Sequence, residues 1–158
     1  MIRLPDSIDF EALPVEKRYR AATRALSARL GALYRRAVDE FGDEALDLVR
    51  SVSREHARDL AKALCPKEES RDAGAAAVCL AHLLDLIGMD GEITEVSSQQ
   101  ARITLDACPY GVTSPGLCDA RTTLESEFVK SLSGDLSFEI EKCAARGDAR
   151  CQFRIQKS

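Results

Sequence analysis

The chain has 158 residues, 45% of them apolar and 30% charged, and carries a formal net charge of −4. That length supports one domain with a real core and the balance is that of a soluble globular chain, while the acidic surplus leaves no basic footprint for nucleic acid. No apolar run approaches the roughly 20 residues that span a bilayer, and Met1-Ile2-Arg3-Leu4-Pro5-Asp6 lacks the apolar stretch of a signal peptide, so a cytoplasmic protein without membrane contact is expected.

Residues 1–13 read as an irregular arm. From Val15, the apolar positions Tyr19, Ala22, Leu26, Leu30, Leu33, Ala37 and Phe41 recur at three and four, the stripe of a long amphipathic helix. Gly42 is expected to end it as a left-handed cap. A second helix carries Leu46, Val49, Val52, His56, Leu60 and Leu64 until Pro66 stops it. His56 falls on that stripe and reads as a core histidine rather than a ligand. After a charged loop from Lys67 to Asp72, Ala73–Ile87 is apolar on nearly every face and reads as a helix buried mid-domain. Cys65 and Cys79 read as small core residues.

At Met89-Asp90-Gly91 the period changes from 3.6 to 2. Glu92–Val96 reads as a weak strand, and Ala101–Ala107 as a stronger one with Ala101, Ile103, Leu105 and Ala107 on one face. Ser114-Pro115 opens a helix whose stripe is Leu117, Ala120, Leu124, Phe128 and Leu132, closed by Gly134. Leu136, Phe138 and Ile140 alternate along a third strand, and Phe153 and Ile155 mark a fourth after the Gly147-Asp148 turn. These elements predict a single α+β domain over 1–158, with a helical half at 1–88 and a cysteine-bearing sheet half at 89–158. Its N-terminal helices pack on a four-stranded antiparallel sheet.

Four of the six cysteines lie in the last fifty or so residues: Cys108, Cys118, Cys143 and Cys151. Their gaps of nine, twenty-four and seven residues match no zinc-finger knuckle. Their placement carries the argument instead. Cys108 ends the second strand, Cys143 ends the third, and Cys151 opens the fourth. Cys118 lies in a first helical turn, where the dipole favours thiolate. All four are expected at one end of the sheet. Counting alternate positions, however, puts Cys143 on the polar face and Cys151 on the core face, so either a bulge reorients one thiol or Cys151 is only core. In a reducing compartment such thiols hold a soft metal, zinc or an iron–sulfur cluster, or do redox or nucleophilic chemistry, or sit unligated in the core. Glu141 is a possible additional ligand.

The tail from Phe138 through Cys143, Gly147-Asp148 and Cys151-Gln-Phe153 resembles the end of 4-vinyl reductase domains. Together with Ala107-Cys108-Pro109-Tyr110 and Leu117-Cys118, it is also similar to the L-2-amino-thiazoline-4-carboxylate hydrolase-like family. The resemblance implies a trafficking-subunit-like fold enclosing an apolar pocket for a small apolar or aromatic ligand. By similarity to phenol-sensing activators, it implies zinc held by Cys118, Glu141, Cys143 and Cys151. This chain carries Ile140 where the family glutamate usually stands, which makes Cys108 the natural fourth ligand. Related regulators imply redox sensing or iron–sulfur binding through the same cysteines.

Three functions are expected on these grounds. The first is a small-molecule-binding sensory or accessory domain with a cysteine-held metal, signalling through a partner. The second is a hydrolase of a small cyclic amidine-like thiazoline, with Cys118 or a metal-bound water attacking. The third is a thiol redox sensor. The long apolar stripe of the first helix predicts a homodimer.

Overall fold

The computed structural model describes residues 14–66, 71–108 and 110–158. The arm expected over 1–13, most of the charged loop and Pro109 lie outside the described residues. Three helices come first: α1 Val15–Phe41, α2 Asp43–Leu64 and α3 Ala73–Leu86. Next is a hairpin of β1 Gly91–Val96 and β2 Gln100–Leu105, then α4 Pro115–Arg121 and α5 Thr123–Leu132. The chain ends with β3 Leu136–Lys142, a 3-10 turn over Ala144–Arg146, and β4 Cys151–Lys157.

The strands form one antiparallel sheet in the order β1-β2-β4-β3. The alternation of β2 and β4 holds. Ala101, Ile103, Leu105, Phe153 and Ile155 are buried on the inner face, where α3 crosses β1, β2 and β4. Arg102 and Arg154 point the other way, into ion pairs with Glu95, Glu139 and Glu141. The fold is therefore α+β, helices against a four-stranded antiparallel sheet, as the periodicities predict. No helix among the described residues is long and apolar enough to cross a membrane.

Local signals account for several boundaries. The Asp72 carboxylate accepts from the Ala75 amide at 2.8 Å and caps α3. Ser114 caps α4 with Pro115 at its first turn. Gly42 does end α1, but with φ 58° and ψ −129°, a conformation outside the left-handed helical cap expected there.

The helices correct the sequence reading in three places. The large stripe of α1 faces outward, with Leu26 66% and Leu33 62% exposed. The face that packs carries Ser27 and Gly31 instead. On α2 the covered residues are Ala45, Val49, Ser53, Ala57 and Ala61, one every four residues. These small side chains let α2 lie close against α5. His56 stands off this stripe and is exposed, so it is not a core histidine. Finally, the helix expected over 114–132 is broken at Thr122 into α4 and α5. The Thr122 hydroxyl donates to the Cys118 carbonyl at 2.8 Å at that junction.

Candidate functional site: a thiol corner beside a buried ion pair

The two arms of the final hairpin deliver their thiols through different devices. Cys151 opens β4 opposite Leu105 in the ladder, on the inner face. Cys143 comes directly after β3, and simple alternation would turn it outward. The ladder slips between Ile140 and Lys142, so that Ile140 pairs with Phe153 and Lys142 with Gln152. The extra residue is Glu141. This bulge reverses the parity of the residues beyond it, and Cys143 ends fully buried.

The loop between the two cysteines is tightly bonded. The Cys143 amide donates to Asp148 at 2.7 Å, and the Cys143 carbonyl accepts from the Arg146 amide at 2.9 Å. The Ala144 amide donates to Cys151 Sγ at 3.3 Å. Gly147, at φ 99°, supplies the left-handed residue that closes the turn. Arg146 donates to Asp119 at 2.6 Å and ties this loop to α4.

From α4, Cys118 reaches across to the hairpin, its Sγ 3.4 Å from Cys143 Sγ. Cys151 lies in electrostatic range of both Cys143 and Cys108. Of the four thiols expected at this corner, Cys118 and Cys143 form a close sulfur pair. Burial pushes the Cys118 thiol up to about 12, reinforced by Cys143. Burial likewise raises Cys151. The short α4, seven residues long, and desolvation of the thiol both work against the acidification expected of Cys118 in a first helical turn.

Glu141 does not join the corner. It lies on the outer face, 2.7 Å from Arg102 Nε and 3.3 Å from Arg154 Nη1. Three other nearby carboxylates are also engaged by arginines, Asp106 with Arg150, Asp119 with Arg146 and Glu139 with Arg154, while Asp148 accepts from the Cys143 amide. Cys65 and Cys79 sit elsewhere, beside Arg71, where burial pushes Cys79 up to about 12.

Sulfur is the right donor for zinc or iron–sulfur. Among the described residues, however, no three His, Cys, Asp or Glu side chains stand as a ready-made metal-holding group. Two bonds of about 2.3 Å at a tetrahedral angle put sulfurs about 3.8 Å apart. The 3.4 Å pair would open by a few tenths of an ångström to accept an ion.

A second feature went unread in the sequence. Arg121 ends α4 and Glu125 lies in the first turn of α5, 5% and 0% exposed. They form an ion pair between Arg121 Nη2 and Glu125 Oε1. The guanidinium lies 4.7 Å from the ring centroid of Tyr110. Burial opposes charge on Arg121, but the Glu125 carboxylate outweighs it and holds the side chain protonated. The only sequence signal was the spacing of four, continuing the buried register of Leu117. An exposed i,i+4 ion pair has the same spacing, so the spacing alone does not separate the two.

No family model matches the chain, and no curated protein matches it. Solved structures do. The chain is similar to the phenol-responsive sensory domain of the transcription activator PoxR, solved with phenol. That match has a TM-score of 0.63 and 14% identity, covering 83% of this chain and 74% of that one. It is also similar to a trafficking protein particle complex subunit 3 from Naegleria fowleri, covalently bound to palmitic acid. There the TM-score is 0.61 at 14% identity, over 88% of this chain and 96% of that one. At such identity the likeness establishes the fold: this chain has the α+β architecture shared by a phenol-responsive sensory domain and a trafficking-complex subunit.

Proposed function

We propose that the chain is a small-molecule-binding sensory or accessory domain of the 4-vinyl reductase type, in which Cys108, Cys118, Cys143 and Cys151 hold a soft metal, zinc or iron–sulfur. The observation that carries this reading is the β3 bulge, which turns Cys143 inward to meet Cys118 at 3.4 Å. A bulge and a tightly bonded loop are a costly way to bury a thiol unless the thiol has a task. The two structural neighbours, one with phenol and one with palmitic acid, support a fold that accommodates small apolar molecules. Bound metal would cross-link α4 to the hairpin and add its binding energy to the stability of this corner. A cytoplasmic setting, where the thiols stay reduced, belongs to the same reading.

Metal analysis with an ultraviolet–visible spectrum of anaerobically purified protein tests it. Stoichiometric zinc in a colourless protein, or a brown protein absorbing near about 400 nm, is the expected result. Metal-free protein that does not take up added zinc or reconstituted cluster would sink it. A thiol redox sensor is the second reading, favoured by the same close pair.

Assembly is the last part of the proposal. Leu33, Tyr34, Ala37, Phe41, Leu48 and Val52 line an apolar groove of about 470 Å³ between α1 and α2. The exposed stripe of α1 runs into it, and a second copy of the chain would cover both.

A further inference from the structure

We propose that the Arg121–Glu125 pair recognises a small neutral ligand whose head group both accepts and donates a hydrogen bond, a carboxamide or a hydroxyl on an apolar body. This inference rests on the reading of the chain as a small-molecule-binding domain and names the chemistry that such a domain would select.

The pair is joined at one point, Arg121 Nη2 to Glu125 Oε1. Two of its remaining polar atoms, Arg121 Nη1 and Glu125 Oε2, are buried and have no hydrogen-bond partner among the described residues. A buried donor or acceptor left unsatisfied costs its desolvation, and a native fold rarely keeps one without reason. Here a donor and an acceptor are left on the same pair. One group that accepts from Nη1 and donates to Oε2 satisfies both.

Charge narrows the class. The guanidinium and carboxylate already cancel, so an anionic or cationic ligand would leave net charge in a buried site. A neutral head group would not. The surroundings select an apolar body: the Tyr110 ring covers the guanidinium, and Leu117, Phe128 and Val112 belong to the same buried core. Burial raises Tyr110 and Tyr34, which keeps both phenols protonated and the site free of further charge.

The cover over the pair is held by few large apolar contacts. Helix α1 fully buries only Ser27 and Gly31, with Tyr34 and Val38 half-buried against the core. It is fastened by polar bonds, from Ser27 Oγ to the Ile87 carbonyl at 2.8 Å and from Arg35 Nη1 to the Tyr110 and Gly111 carbonyls at 2.8 and 2.9 Å. Ligand entry lifts this edge of α1 together with Tyr110.

Titration calorimetry on the intact chain tests the assignment with benzamide and benzyl alcohol as neutral donor–acceptor probes, and with benzoate and toluene as controls. At least one neutral polar probe should bind tenfold or more tighter than either control. The double variant Arg121→Met with Glu125→Met removes both charges together, so no lone buried charge remains, and its melting curve verifies folding. It should bind benzamide and benzyl alcohol no better than toluene. Benzoate binding as tightly as benzamide, or the preference surviving in the folded double variant, would overturn the inference. Toluene binding without any advantage for the polar probes would overturn it while leaving the small-molecule reading intact. If no probe binds, the inference fails, and the metal analysis decides separately the reading on which it rests.

Discussion

Glu141 and Cys143 are two residues apart, yet they lie on opposite sides of the sheet. Glu141 pairs with Arg102 and Arg154 on the outer face, and Cys143 is buried against Cys118 on the inner one. In a regular strand, residues i and i+2 share a face. The slip in register between Ile140 and Lys142 separates them: Glu141 keeps the outward side that alternation gives it, and the bulge turns Cys143 inward to the thiol corner.

The outer network makes stability pH-dependent in a defined direction. The Arg102 hydrogen bond holds the Glu141 carboxyl below its ordinary value of 4.5. A depressed folded value means that the contribution is present above about 4.5 and is lost as pH falls through the folded value. Urea midpoints measured from pH 6 downward should drop on this limb, and Glu141→Gln should flatten the drop. An unchanged acid limb in that variant would show that other carboxylates dominate.

The close thiols predict a specific oxidation product. A disulfide needs sulfurs about 2.05 Å apart, a short movement from the 3.4 Å pair. In metal-free protein, diamide should take two electrons and two protons from Cys118 and Cys143 and leave one bond between them. Peptide mapping should find this cross-link before any involving Cys65, and bound zinc should suppress it. Random pairing among the cysteines would contradict the geometry.

Gly31 should tolerate no side chain. A Cβ there would lie 1.9 Å from the Tyr110 carbonyl oxygen, a backbone atom that moves only if α1 or the loop shifts. Gly31→Ala is expected to destabilise by about 1–3 kcal/mol, the range for forced overpacking. Thermal melts with hydrogen exchange at Tyr110 and Gly111 read it directly, and a wild-type melting point would show that α1 docks loosely.

Charge placed in the α1–α2 groove tests assembly. Phe41 and Leu48, 60% and 65% exposed, are solvent-facing in one copy. Phe41→Glu with Leu48→Glu should therefore leave the fold intact while abolishing a dimer. Light scattering at tens of micromolar should give twice the chain mass for the native protein and the chain mass for the variant. A native monomer would remove the second copy as occupant of the groove.

Much of the fold was legible because periodicity is a local property. The alternation of Ala101, Ile103 and Leu105 and the all-round apolar character of 73–87 placed the inner sheet face and the central helix without reference to any partner. The helix start at Ser114-Pro115 and the Gly147 turn were likewise local. The convergence of Cys118 with the final hairpin was also foreseeable from where each cysteine sat in its element. What periodicity cannot say is which face of a helix is covered. Close approach favours small residues, so Ser27, Gly31 and the Ala45-to-Ala61 row packed while Leu26 and Leu33 stayed exposed. The inward turn of Cys143 depends on how β3 registers against β4, a pairing between strands that neither strand records alone. The burial of Arg121 with Glu125 depends on Tyr110 and α1 closing over the break at Thr122. Sequence determined the elements and their apolar faces, and tertiary contact decided which faces and charges were taken out of water.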